Sequence, residues 1–150
     1  MAGALSTSFD QAEHSPGLQL WRVTHSWQSA MRRALAPHDL THVQFVLLAS
    51  LVWIDADGPV TQRALADHAG TDPMMTSQVL RALETKGLVE RRPHPDDSRA
   101  RSLVATAAGV ALANRATASV EAADREFFAP LEPDLPGFAA QLGRLVRPRA

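Results

Sequence analysis

The residues from Asp72 to Thr106 constrain the fold more than any other stretch, because a helix with both of its stops is followed at once by a change of period. Asp72 can accept from the free amides of a first turn, and Pro73 suits the first helical position, where no N–H partner is needed. Val79, Leu80 and Leu83 make an apolar face, Lys86 sits in the last turn, and Gly87 follows as a left-handed stop. Beyond Gly87, Leu88–Val89 and the run from Leu103 to Ala105 predict two short strands. A turn-rich, charged tip from His94 to Arg101 lies between them. A helix that leads directly into a basic-tipped hairpin has the outline of a winged helix.

The surfaces of that unit suit DNA. With Val79, Leu80 and Leu83 turned inward, Met75, Thr76, Ser77, Gln78 and Arg81 are left for other faces. Short hydroxyls and an amide can read base edges in a major groove, where the N-terminal part of such a helix reaches deepest. Ser77 and Gln78 are therefore assigned base contacts, Met75 an apolar contact, and Thr76 and Arg81 positions nearer the DNA backbone. Arg91, Arg92, Arg99 and Arg101 gather on the hairpin, where they can meet phosphates or a minor groove. Arg99 and Arg101 are placed at the wing tip, with Asp97 orienting one of them by a charge-assisted hydrogen bond. Any exposed helix carries Ser and Gln, and any hairpin carries Arg. The order of cap, helix, glycine stop and basic tip is what points to DNA.

The rest of the chain reads as helices around this unit. Residues 1–14 are small, polar and patternless and are expected to form a flexible arm. Ser15 and Pro16 open a helix whose apolar residues, Leu20, Val23, Trp27, Met31 and Ala34, follow the helical period until Pro37 ends it. Thr41 and Gln44 form a capping box, with Leu40 and Phe45 as its hydrophobic staple. The helix that follows runs to about Ile54, is apolar nearly all round (Val43 to Trp53), and is expected at the centre of the core. Val60 is expected to form a minimal strand against the wing. Thr61 caps a short helix over 62–69, with Val60 and Leu65 as its staple pair, and Gly70 stops it. Two helices joined by the turn at Gly70–Thr71 make a helix-turn-helix. After the wing, Thr106 caps an alanine-rich helix to about Ala129. Pro130, Pro133 and Pro136 break the chain before a last helix, Phe138 to Arg147.

Composition removes several function classes. The formal net charge is −1, so any basic surface has to be local. There is no cysteine, which excludes disulfides and thiolate chemistry. No apolar run approaches the length of a membrane span, and no N-terminal signal pattern is present, so a cytoplasmic location is expected. Gly-rich phosphate loops, a nucleophile elbow and a His-Glu-x-x-His motif are all missing, and the chain is not read as an enzyme. His38 and His42 are four apart but straddle a helix start. A metal pair completed by His25 is weaker than two independent histidines, because a stable site needs more ligands; no metal and no cofactor are assigned.

The chain resembles the multiple antibiotic resistance regulator (MarR) family. The matching residues are Leu40–Thr41 with Gln44–Phe45, Leu83–Glu84 with Lys86-Gly87-Leu88-Val89 and Arg91, Asp97-Ser98-Arg99-Ala100-Arg101, and Thr106 with Gly109. The resemblance implies a mainly α fold: a winged helix-turn-helix with a two- to three-stranded wing and terminal dimerisation helices. On that reading, residues 15–150 are one regulator domain, with dimerisation helices at about 16–36 and 107–147 and a DNA-binding part at about 41–106. It also implies a ligand-responsive transcription regulator, a repressor in preference to an activator, that binds double-stranded DNA as a homodimer. In the family, small aromatic or phenolic effectors bind between the dimer helices and the winged helix. Trp21, His25, His42, Phe45 and Trp53 are the positions here that could line such a cleft, and Arg22, Arg32 and Arg33 could receive an anion. The absence of cysteine departs from the hydroperoxide-sensing branch. Many members carry Thr-Arg where this chain has Ser77-Gln78, so base preferences do not carry over. The rival readings are a winged-helix protein-interaction module without DNA, and a metal-responsive regulator using histidines.

Overall fold

The computed structural model describes residues 4–55 and 58–146. The predicted loop residues 56–57 and the predicted helix end at Arg147 fall outside them. Six α-helices and one hairpin occur among the described residues: α1 Pro16–Leu35, α2 His42–Asp55, α3 Gln62–Ala69, α4 Pro73–Thr85, β1 Val89–His94, β2 Asp97–Ala105, α5 Ala107–Phe128 and α6 Leu135–Leu145.

Local chemistry sets most of the helix starts. The side chains of Ser15, Thr61, Asp72 and Thr106 each accept from a backbone amide in the first turn of the helix they open. The capping box at α2 is reciprocal: Gln44 N–H donates to Thr41 Oγ1 at 3.2 Å, and Thr41 N–H donates to Gln44 Oε1 at 3.1 Å. Both staple pairs, Leu40 with Phe45 and Val60 with Leu65, are buried. Gly70 and Gly87 close α3 and α4 with φ of 71° and 72°, a region that side chains with a Cβ resist.

Packing then converges on α2. Phe45, Leu47, Leu48 and Leu51 are buried, and α3, α4, α5 and β2 all lie against this helix. From the other side come Leu65 of α3, Leu80 and Leu83 of α4, Leu103 of β2, and Ala113 and Ala116 of α5. Each fully buried leucine contributes about 2 kcal/mol by removal from water. The small residues of α5 let it approach closely. The expectation that α2 is apolar and covered on nearly every side fails at its end. Trp53 is 79% exposed there, because among the described residues no element packs over its ring.

The hairpin is longer than the predicted strands. Pairing runs from Val89↔Ala105 to Pro93↔Arg101 and then shifts at His94↔Asp97, so most of the expected tip is strand and only Pro95–Asp96 turn. The expected third strand is a single bridge, Val60↔Leu103, in which Leu103 N–H donates to the Val60 carbonyl at 2.8 Å. Helix α6 begins at Leu135 rather than Phe138, since Pro136 sits in its first turn, where proline is tolerated. Part of the expected arm is ordered as a 3₁₀ turn, Ala12–His14, leading into the Ser15 cap.

The terminal helices leave apolar surface uncovered. Leu20, Trp21 and Val23 of α1 and Leu142 and Leu145 of α6 are exposed. Between α1, the end of α5 and α6 lies an apolar groove of about 220 Å³, lined by Trp27, Phe127, Phe128 and Phe138 among others. Phe138 meets Phe128 at 5.9 Å between ring centroids.

The wing root is fused to α5. Thr106 Oγ–H donates to the Gly87 carbonyl at 2.7 Å, and the same oxygen accepts from Gly109 N–H at 3.0 Å. A Cβ at Gly109 would stand 2.1 Å from the Leu88 carbonyl oxygen. Gly109→Ala is therefore expected to destabilise the fold by about 3 kcal/mol or more, because backbone, not a flexible side chain, must move. Thermal or urea unfolding measures it; a destabilisation below about 0.5 kcal/mol would show that the α5 start is not held in this contact.

Candidate nucleic-acid interface and adjoining pocket

Helix α4 is oriented by what it buries. Leu80, Leu83 and Thr76 are fully buried, which turns the opposite face to solvent. That face carries Met74, Gln78 and Arg81, spaced four and three apart and all exposed, with Met75 (43% exposed) beside them. Met74, at 73% exposed, shares the outward face with Gln78 and Arg81 and is absent from the residues assigned by sequence, although its spacing from them could have found it. Ser77 is half-buried and already used within the helix: Arg81 donates to its Oγ at 3.2 Å.

Thr76 requires a correction. It is fully buried, its hydroxyl donates to the Asp72 carbonyl at 2.8 Å, and it lies 2.6 Å from the Thr71 hydroxyl. It holds the turn between α3 and α4 and cannot contact DNA in this arrangement. Threonine is small enough and polar enough to serve either role, so the sequence does not distinguish them.

The wing arginines divide into two groups. Arg91 is half-buried and points inward, pairing with Glu84 at 3.1 Å and Gln62 at 3.0 Å, so it ties the wing to α4 and α3. Arg92 pairs with Glu90 at 3.1 Å on the exposed strand. Arg99 and Arg101 are exposed, and among the described residues neither forms a salt bridge. Asp97 supports the tip differently from the expectation. Its Oδ1 accepts from the backbone N–H of Arg99 at 2.9 Å, fixing the turn rather than a guanidinium. Lys86 donates to the Asp39 carbonyl and to Gln44 Oε1, fastening the end of α4 to the start of α2.

Next to this unit is a cavity of about 620 Å³ between α1, the start of α2 and the turn into α4. Ala36, Leu40, Val43 and Val46 form apolar walls; Gln28, Arg32, Thr41, His42 and Thr71 supply polar groups. Of the five aromatic and histidine positions expected to line a cleft, only His42 reaches it. Phe45 is turned into the core, and Trp53 is exposed at the far end of α2. Trp21, 64% exposed, stacks on His25 at 4.1 Å on the outer face of α1. Helical spacing located these side chains on their helices but not the face each helix presents. Arg32, an expected anion receptor, does line the cavity.

His42 packs edge-on against Trp27 at 5.0 Å, and Trp27 Nε1–H donates to Asp124 Oδ1 at 2.8 Å. Burial lowers the His42 pKa below its ordinary 6.5; Asp124 opposes the shift and Arg32 adds to it. His42 is therefore mainly neutral near pH 7, and Arg32 is the cation lining the cavity. His25 bonds the Trp21 carbonyl and His38 bonds Ser119 Oγ, each at 2.8 Å. Among the described residues no group of three metal-ligating side chains that could hold a metal ion occurs.

Comparison with known proteins gives a consistent result. The model of the MarR family matches residues 40–100. The uncharacterized HTH-type transcriptional regulator YdcH of Bacillus subtilis (strain 168) is 45% identical over 124 residues, spanning 82% of this chain and 84% of that protein. CouR from Rhodococcus jostii RHA1, solved bound to p-coumaroyl-CoA, superposes with a TM-score of 0.84 at 28% identity, covering 95% of this chain and 99% of that one. The Mycobacterium tuberculosis MarR family protein Rv2887, an HTH-type transcriptional repressor, is 34% identical with a TM-score of 0.68 in its complex with salicylic acid, covering 91% and 100% of the two chains. It has also been solved in complex with DNA.

The wing geometry gives one expected outcome. Arg99→Ala should weaken binding to every DNA sequence alike and reduce the salt slope by about one for each phosphate that the side chain neutralises. Filter binding across a salt series measures this, and unchanged binding on all DNA would remove the wing tip from the interface. The pocket gives another. A histidine whose folded pKa lies below 6.5 binds protons more readily in the unfolded chain, so its contribution to stability is complete above pH 6.5 and declines as pH falls through the lowered folded value. His42→Gln should flatten that acid-side decline in melting temperature as pH falls below 6.5. An identical decline in the variant would assign it to other groups.

Proposed function

This chain belongs to the MarR family, and on that premise we propose that it represses transcription as a homodimer on a pseudo-palindromic operator, in the cytoplasm, and leaves the DNA when a small aromatic acid enters the cavity beside α4. The observation that carries the DNA reading is the exposed Met74–Gln78–Arg81 face, held outward by the burial of Thr76, Leu80 and Leu83 behind it. Gln78 presents a donor and an acceptor together, which suits an adenine edge; Met74 and Met75 suit thymine methyl groups. Arg81, Arg99 and Arg101 supply the charge that a nearly neutral chain otherwise lacks.

The dimer reading rests on the exposed apolar residues of α1 and α6 and the aromatic groove between them. Pairing two copies there covers that surface and sets two reading heads about one helical turn of DNA apart, roughly 34–36 Å. The effector reading rests on the cavity lining. Arg32 and Gln28 suit a carboxylate, and the aliphatic wall suits an aromatic ring. Salicylic acid, bound in Rv2887, has that combination of a ring and a carboxylate; p-coumaroyl-CoA, bound in CouR, has the ring with a thioester carbonyl.

Selection of bound duplexes from a random pool tests the reading. The expected product is an inverted repeat whose half-sites lie one helical turn apart. A single unrepeated motif would remove the homodimer, and recovery of no preferred sequence would favour a protein-interaction module. With the selected duplex in hand, salicylate should raise the melting temperature and release the DNA. Arg32→Ala should abolish most of both effects.

A further inference from the structure

The cavity and the reading helix share a pair of hydroxyls at the turn between α3 and α4. Thr71 lines the cavity, and its Oγ1 lies 2.6 Å from Oγ1 of the fully buried Thr76. A threonine hydroxyl carries one proton. That of Thr76 is committed to the Asp72 carbonyl at 2.8 Å, so within the pair Thr71 donates and Thr76 accepts. Asp72 in turn sets the first turn of α4. Its carbonyl accepts Thr76 N–H at 3.0 Å, and its carboxylate accepts Met75 N–H at 2.8 Å. Two sets of hydrogen bonds, joined through the covalent frame of Asp72, therefore link the cavity wall to the backbone of the first turn of α4.

We infer that Thr71 and Thr76 form a positioning pair through which a carboxylate in the cavity changes the set of α4. This rests on the reading of the cavity as an effector site. A carboxylate offers only acceptors. Arg32 and Gln28 can satisfy it from the α1 side, and Thr71 is the hydroxyl-bearing residue that lines the cavity from the α4 side. When the anion takes the Thr71 proton as a hydrogen bond, that proton no longer reaches Thr76. The buried Thr76 oxygen is then deprived of a donor, which is unfavourable for a group shut away from solvent. A shift of the first turn of α4 relieves the deficit, and that shift displaces Met74 and Met75.

The test compares wild type, Thr71→Val and Thr71→Ser, using salicylate and the selected duplex at one salt concentration. Valine keeps the shape and removes the hydroxyl; serine keeps the hydroxyl. Salicylate should weaken DNA binding at least about tenfold in wild type and in Thr71→Ser, but less than about twofold in Thr71→Val, as expected when a coupling free energy is removed. Thr71→Val should bind salicylate more weakly, by roughly tenfold for the one hydrogen bond lost, so release is compared at saturating salicylate, where the guanidinium still receives the anion. Equal release of DNA in all three proteins would overturn the pair's role.

A second arm needs no ligand. Ala36 is exposed at the cavity wall, so Ala36→Glu puts a tethered carboxylate there without disturbing the core. It should lower DNA affinity about fivefold in wild type and leave Thr71→Val nearly unchanged. Equal reductions in both backgrounds, or none in wild type, would overturn the inference. If salicylate fails to bind wild type, the effector reading falls on its own, while the Ala36→Glu comparison still decides the coupling.

Discussion

The burial of α2 is the constraint on which the other elements depend. Leu47, Leu48 and Leu51 present apolar surface in several directions at once, and one partner helix cannot cover it. The chain meets this by bringing α3, α4, α5 and the wing strand β2 to the same helix. Once Leu80 and Leu83 of α4 are fixed there, the remaining faces of α4 are decided as well. The surface offered to DNA is thus set by packing on the far side of the helix, and the side chains that would read bases need make no contact with the core.

Helix starts are legible in the sequence because capping is local. Ser15, Thr61, Asp72, Thr106 and the Thr41–Gln44 box each act within a single helical turn, and each forms the bonds that its sequence predicts. The wing is less legible because its outer half has no apolar alternation. Arg92 faces Ser102 and Pro93 faces Arg101, pairs that composition alone would place in a loop, and only the register inherited from Val89 and Leu103 keeps them extended. The candidate site is legible to a similar degree. Gln78, Met75, Arg81, Arg99 and Arg101 are exposed where the helix and hairpin place them by pattern. Thr76 is misplaced by pattern because its burial and its contact with the Thr71 hydroxyl exist only after the turn at Gly70–Thr71 forms. The cavity is the least legible part, since its lining comes from three separate elements and only their packing brings Arg32, His42 and Thr71 together.

The arginines of the hairpin show how composition misleads without geometry. Four guanidiniums in one hairpin look like a single basic surface. Arg91 instead bonds Glu84 and Gln62 and acts as a structural tie, while Arg92 is answered by Glu90. The partly buried Arg91–Glu84 pair fixes relative position more than it adds stability. The field that a duplex would meet therefore comes from the strand beyond the turn, at Arg99 and Arg101. That is consistent with a protein of almost no net charge having a directed basic edge.

The close seating of Gly109 on the Leu88 carbonyl has a mechanical consequence. With Thr106 bonded on both sides of the same junction, the root of the hairpin and the first turn of α5 cannot pivot against each other. The hairpin is in effect a rigid crank on a shaft of 22 residues, about 33 Å long at the ordinary helical rise. A tilt of about 5° at the Phe128 end of such a shaft sweeps the hairpin end through about 3 Å, roughly the length of one hydrogen bond. Small adjustments among Phe127, Phe128 and Phe138 would thus be geared up into displacements at the far end of the molecule.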